Sequence, residues 1–146
     1  MIYKPKYFSV VEIFPKAMAM ALPDDYLWAI MDSEILIDID TLREYVNKPI
    51  FVNYGNAQCR GFRDCDTCKT IGAKYSAHRY GMALDFNIEG MEVPEVRELI
   101  IKKQHLFPHI RRMEIGRIKN GKKTPINWIH VDVKPTNKEG IYLFYG

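Results

Sequence analysis

A chain of 146 residues with 47% hydrophobic and 12% aromatic side chains can bury a full core as a single domain spanning residues 1–146, without needing disulfides to fold. Lys and Arg number 21 against 18 Asp and Glu, and a net charge of +3 with no dominant basic block excludes nucleic acid as the expected partner. The longest apolar run, residues 17–22, is too short to cross a bilayer, and the start lacks the charged-then-apolar order of a signal peptide, so the expectation is a monomer, cytoplasmic as synthesised, with no membrane partner.

Ser9-Val10-Val11-Glu12 has the form of a capping box and opens a first helix, which Pro15 cuts short. Pro23-Asp24-Asp25 starts a second, with Leu27, Ile30 and Met31 on its buried side. Asp40 is the expected cap of a third, which turns Leu42, Tyr45 and Val46 inward and ends at Lys48-Pro49. Residues 50–52 read as a short strand and residues 53–75, rich in Gly, Asp and Cys, as a long loop. A loop of that length in a small domain usually carries function.

Cys59, Cys65 and Cys68 all fall in this loop. Free thiols are the expectation in a reducing compartment. The alternatives are a second metal site built on Cys65-x-x-Cys68 with Cys59, and a disulfide among the three.

Residues 82–88 form the next predicted strand. A helix follows over residues 94–104, with Pro94 and Glu95 in its first turn and Lys102 and Lys103 in its last. Val96, Leu99 and Ile100 are its apolar stripe. Strands are expected at residues 111–118, 128–133 and 141–144, with Asn120-Gly121 marking a hairpin turn between the first two. The lysine-rich segment 119–123 reads as a solvated turn. Helices, then strands joined by a hairpin, specify an α+β domain whose antiparallel sheet carries helices on one face.

Two strands carry chemistry on the face turned from the core. In residues 82–88, Leu84, Phe86 and Ile88 alternate with Ala83, Asp85 and Asn87; in residues 128–133, Ile129, Val131 and Val133 alternate with Trp128, His130 and Asp132. His78 precedes Asp85 by seven residues, a spacing that on one helix would separate them by about 10.5 Å of rise. A shared metal therefore requires a turn, which Gly81 permits. Two imidazoles and a carboxylate with one open position describe a catalytic zinc site.

Ser76-Ala77-His78-Arg79-Tyr80-Gly81-Met82-Ala83-Leu84-Asp85 has the pattern S-x-H-x-x-G-x-A-x-D, and Trp128-Ile129-His130-Val131-Asp132-Val133 follows about fifty residues after His78. Together they resemble the zinc D-Ala-D-Ala metallopeptidase family, which includes D-alanyl-D-alanine carboxypeptidases and dipeptidases and L-alanyl-D-glutamate phage endolysins; hedgehog signalling domains share the fold. Residues 49–52 followed by Gly61-Phe62-Arg63 extend the likeness upstream. The resemblance implies a hedgehog/DD-peptidase-like fold with Zn2+ held by His78, Asp85 and His130. It also implies hydrolysis of a peptide bond in a peptidoglycan stem peptide or another peptide containing D-amino acids. Arg63 matches an arginine that faces substrate in several members, and with Ser76 it is a candidate substrate contact. An enzyme of this kind without a leader fits delivery to the cell wall by a phage.

The pattern departs from the family where many members carry an acid three residues before the second histidine. That position is Asn127 here, which cannot act as a general base. Glu114, expected opposite Asn127 across the hairpin, is one candidate catalytic residue; Asp132 is the other, unless it orients an imidazole. The departure leaves a catalytically impaired zinc-bearing peptide-binding module as the alternative function. An iron oxygenase built on His78, His130 and Asp132 is a third reading.

Overall fold

The structure, a computed structural model, describes residues 1–66, 68–69 and 71–146. Four helices come first: α1 (Val10–Ile13), α2 (Lys16–Ala21), α3 (Asp24–Ile30) and α4 (Ser33–Val46). Strands β1 (Ile50–Phe51) and β2 (Ala83–Ile88) flank the long loop, and α5 (Val93–Lys102) separates them from β3 (Arg112–Lys119), β4 (Lys122–Thr124), β5 (Ile129–Asp132) and β6 (Tyr142–Tyr145). The class is α+β. No helix among the described residues is long and apolar enough to cross a membrane.

The capping box forms as its sequence dictates: the Ser9 amide donates to Glu12 Oε2 at 2.7 Å. Pro15, with no N–H to give, closes α1 and then stands at the cap of α2. In α3 the buried positions are Leu27 and Trp28, with Met31 just beyond, whereas Ile30 keeps 37% of its surface exposed.

The longest helix corrects the expectation for Asp40. Asp32 is the cap of α4, accepting from Glu34 N at 2.9 Å. Asp38 and Asp40 lie inside the helix and are buried, each for a tertiary reason. Asp40 accepts from Tyr3 Oη (2.8 Å), Lys6 N (2.6 Å) and Tyr7 N (3.2 Å), which fastens the N-terminal segment to the helix. Asp38 accepts from the amides of His109 (2.8 Å) and Ile110 (2.9 Å) and from His109 Nδ1 (2.8 Å), which fixes the chain just before β3. Tyr45, expected inward, is half exposed, while Ile35, Leu36, Ile39 and Leu42 are the buried stripe.

The sheet runs β1-β2-β5-β3-β4, all antiparallel, with β6 added to β3 in parallel. The antiparallel sheet expected is present, and β6 is its one parallel addition among the described strands. The Asn120-Gly121 turn forms, with φ of 50° and 75°, but it joins β3 to the short β4. Residues 125–128 then leave the ladder, because Pro125 has no N–H to continue it. Glu114 consequently pairs with His130, not with Asn127.

Leu84, Phe86, Phe107, Met113 and Ile129 join the helical stripe residues in one core. The opposite face of β2 is also buried, contrary to its polar pattern: Asp85 is 6% exposed. Residues 60–63 cover that side, with Asp85 N donating to Arg60 O at 2.7 Å and Phe62 N to Ile13 O at 2.8 Å. Gly61 permits this approach, since a Cβ there would collide with the Ile13 carbonyl.

Replacing Asp38 with alanine leaves the His109 and Ile110 amides without their acceptor. At about 1–3 kcal/mol for each orphaned buried donor, Asp38→Ala is expected to cost about 3 kcal/mol, measured as a lowered urea midpoint with an unchanged slope.

Candidate metal centre

Cross-strand pairing supplies two of the three candidate ligands. Asp85 on β2 and His130 on β5 are direct partners in the antiparallel register, so their side chains leave the sheet together on the same face. The third ligand, His78, lies in a 3-10 turn, Ala77–Tyr80. Ser76 caps that turn, its Oγ accepting from His78 N at 3.4 Å. Gly81 ends it in the left-handed region at φ 69°, where a Cβ would lie 2.6 Å from the Ile30 carbonyl oxygen. Asp32 N donates to Gly81 O at 2.9 Å, so the junction of α3 and α4 seats the turn. The fold-back that the seven-residue spacing requires is thus present.

The three donor atoms converge. His130 Nδ1 lies 2.8 Å from Asp85 Oδ1, His78 Nε2 lies 3.1 Å from the same oxygen, and the two nitrogens are 3.2 Å apart. Tetrahedral ligands each about 2.0–2.1 Å from a metal ion stand roughly 3.3 Å from one another, so one ion fits this triangle. Among the described residues this is the one group of His, Cys, Asp and Glu gathered closely enough to hold a metal.

Hydrogen-bond directions strengthen the case. His78 Nδ1 faces the Gly61 carbonyl at 2.8 Å; a carbonyl only accepts, so Nδ1 carries the proton and Nε2 turns a lone pair inward. His130 Nε2 faces Asp132 Oδ2 at 3.0 Å, and donation to that carboxylate leaves Nδ1 on the inside. Two nitrogens and one carboxylate oxygen thus crowd together with one proton to share among them. A cation resolves that repulsion, and imidazoles held from behind in this way are the usual support of a metal site.

The charge balance of the metal-free cluster agrees. Burial works against a charged His130, but its bonds to Asp132 and Asp85 outweigh it and push its pKa up to about 9. Burial holds His78 below its ordinary value, against the pull of Asp85. Burial also opposes ionisation of Asp85, yet the two imidazoles beside it, with the hydrogen bond from the charged His130, keep it well below the usual carboxylate range.

Each remaining site residue has a definite place. Asp132 is fully buried and receives a two-pronged contact from Arg112, Nε at 2.8 Å and Nη2 at 2.9 Å. It stands behind His130 and outside the donor triangle, so the constellation expected for an iron oxygenase does not form. Arg63 is also buried; its Nε donates to Cys59 O at 2.7 Å and its Nη2 to Asp85 Oδ2 at 3.1 Å. Glu114 borders the same open cleft of about 560 Å³ as the triad, Arg63 and Ser76. Its nearest ionic partner is Arg117, Nε to Oε1 at 3.5 Å. Asn127 is tied away, its carbonyl accepting from Asn87 Nδ2 at 2.9 Å.

The loop beside the centre corrects the expectation of free thiols: Cys59 and Cys68 form a disulfide, and Cys65 is free and exposed. Neither a three-cysteine metal site nor three thiols is present. Sequence reasoning also missed Arg112 and the Gly61 carbonyl. Alternation with Glu114 could have flagged Arg112; a backbone carbonyl leaves no sequence signal. Comparison with protein-family models, with curated proteins and with solved structures finds no match.

Two measurements check the centre. Asp132→Asn should weaken zinc binding by about 10- to 100-fold in a competitive chelator titration, the usual cost of losing such a support. Binding must also displace the proton on His130, so apparent affinity should rise about tenfold per pH unit between pH 7 and 8 and level off near 9. The sign is opposite for the metal-free protein. The raised pKa of His130 stabilises it fully below about 6.5, and that contribution is lost as pH rises through about 9.

Proposed function

We propose that this chain is a zinc-dependent peptidase of hedgehog/DD-peptidase-like fold, acting on a peptide bond of a peptidoglycan stem peptide. The observation that carries the proposal is the inward convergence of His78 Nε2, Asp85 Oδ1 and His130 Nδ1, with both outer nitrogens committed to acceptors. The S-x-H-x-x-G-x-A-x-D pattern supplies the substrate class, and the donor set of two imidazoles and one carboxylate supplies the metal. Zinc in such a site lowers the pKa of a bound water and polarises a scissile carbonyl.

The chain's own residues divide the remaining work. Glu114, opposite His130 in register and bordering the cleft, is the carboxylate free to take a proton and return it to the leaving amine. Asp132 cannot play that part while both its oxygens hold Arg112 and His130; it orients the imidazole. Arg63, bonded to Asp85, holds the ligand carboxylate in its orientation and lines the cleft behind it. Ser76 caps the His78 turn and borders the cleft.

The second reading is a zinc-bearing peptide-binding module without turnover. Asn127, at the place where many family members carry the acid, is the observation that favours it. Incubation of the zinc-loaded protein with peptidoglycan stem peptides, followed by mass spectrometry, separates the two. Cleavage that falls by about 100-fold or more in Glu114→Gln, with zinc content unchanged, supports the peptidase. Tight binding without products supports the module.

A further inference from the structure

The cleft is unevenly charged. Arg63, Arg112, Arg117 and Lys119 line it against Asp85 and Glu114. Arg63 and Arg112 are already bonded to buried carboxylates. Arg117 and Lys119 are different. They lie beyond the part of β3 that pairs with β5, on the arm of the β3–β4 hairpin, and both are exposed. Two residues apart on one strand, they point to the same side about 7 Å from each other. Arg117 spreads over the Trp128 ring at 5.0 Å and reaches Glu114 only at 3.5 Å. Among the described residues no carboxylate pairs with Lys119. Lys119 faces Lys122 directly across the hairpin, an arrangement of like charges that costs stability unless an anion relieves it.

We propose that this hairpin is the carboxylate-recognising lip of the cleft: Arg117 and Lys119 receive an acidic side chain or free carboxylate of a peptide whose backbone passes the metal centre. The proposal deepens, and rests on, the reading of the cleft as a peptide groove. It also relocates anion recognition, since the guanidinium of Arg63, which the family resemblance assigns to substrate, is here bonded to Asp85 and to the Cys59 carbonyl. A peptide fits better than a continuous polyanion. Glu114 lies on the same strand just inside the lip and would repel a phosphate chain running on toward the centre, whereas a peptide presents a neutral amide there. Two cations so spaced suit one carboxylate or two adjacent ones, and Arg117 offers a planar fork that a carboxylate can fill.

Fluorescence titration tests the assignment, because Arg117 lies over Trp128. The probes are two blocked tetrapeptides, acetyl-Ala-Glu-Ala-Ala-amide and its Gln counterpart, added to the zinc-loaded full chain. The acidic peptide should bind about tenfold tighter at low salt, and the preference should shrink at high ionic strength. Arg117→Ala with Lys119→Ala should abolish the preference, and Lys119→Glu alone should reverse it. Lys102→Ala with Lys103→Ala, which removes equal charge on and just after α5, should leave it intact. Equal binding of both peptides would overturn the proposal. So would equal loss of preference in the α5 variant, or tighter binding of a short RNA oligonucleotide through the same two residues. Since binding is read and not turnover, a protein that selects the acidic peptide and cleaves nothing keeps this assignment while rejecting the peptidase.

Discussion

The antiparallel contact between β2 and β5 is the constraint on which this molecule depends. It sets Asp85 directly opposite His130, a position where cross-strand side chains stand within a few Å of each other. A carboxylate and an imidazole so placed are buried together and cannot both stay dry and unpaired. The surroundings are arranged around that pair. The His78 turn, the segment Arg60 to Arg63 and the carboxylate of Asp132 each supply a bond that completes it. A one-residue slip of β5 would turn Val131 into the site and His130 into the core, so the apolar alternation of Ile129 and Val131 enforces the chemistry as much as the fold.

Burial of polar groups recurs as a structural device. Asp38 and Asp40, two residues apart in α4, carry separate segments on their carboxylates. Neither interaction is a surface ion pair; both satisfy backbone amides that would otherwise be buried without partners. The Asp38 contacts set where the chain enters β3, and through it the position of Arg112 and Glu114. The distance from an aspartate in a helix to a candidate proton carrier is thus two steps of hydrogen bonding and register.

The Cys59–Cys68 disulfide bears on the same centre. The segment that begins at Cys59 presents the Gly61 carbonyl to His78, the Arg60 carbonyl to the Asp85 amide and the Arg63 guanidinium to the Asp85 carboxylate. At its far end, Arg79 Nη2 donates to the carbonyls of Cys68, Lys69 and Ile71. A loop that composition alone marks as irregular is therefore held at several points, and it forms one wall of the cleft.

The sequence alone determined the candidate metal-binding triad, the Gly81 turn, the capping box at Ser9, most of the strands and the α+β class. Those features are written in short-range rules: side-chain period, cap chemistry, the turn residues that φ > 0 demands. Tertiary structure decided the rest, because it depends on contacts that no local pattern encodes. Asp40 reads as a cap from its neighbours, yet Tyr3 and Lys6, far away in the chain, keep it within a helix. Glu114 reads as the partner of Asn127 by counting from the hairpin, yet the excursion at Pro125 moves it opposite His130. The pairing of Cys59 with Cys68, the parallel β6 and the seat of Arg112 behind Asp132 are likewise matters of which distant segments meet. Side-chain type and spacing name the groups that can bind a metal; only long-range packing decides which carboxylate stands behind an imidazole and which borders the cleft.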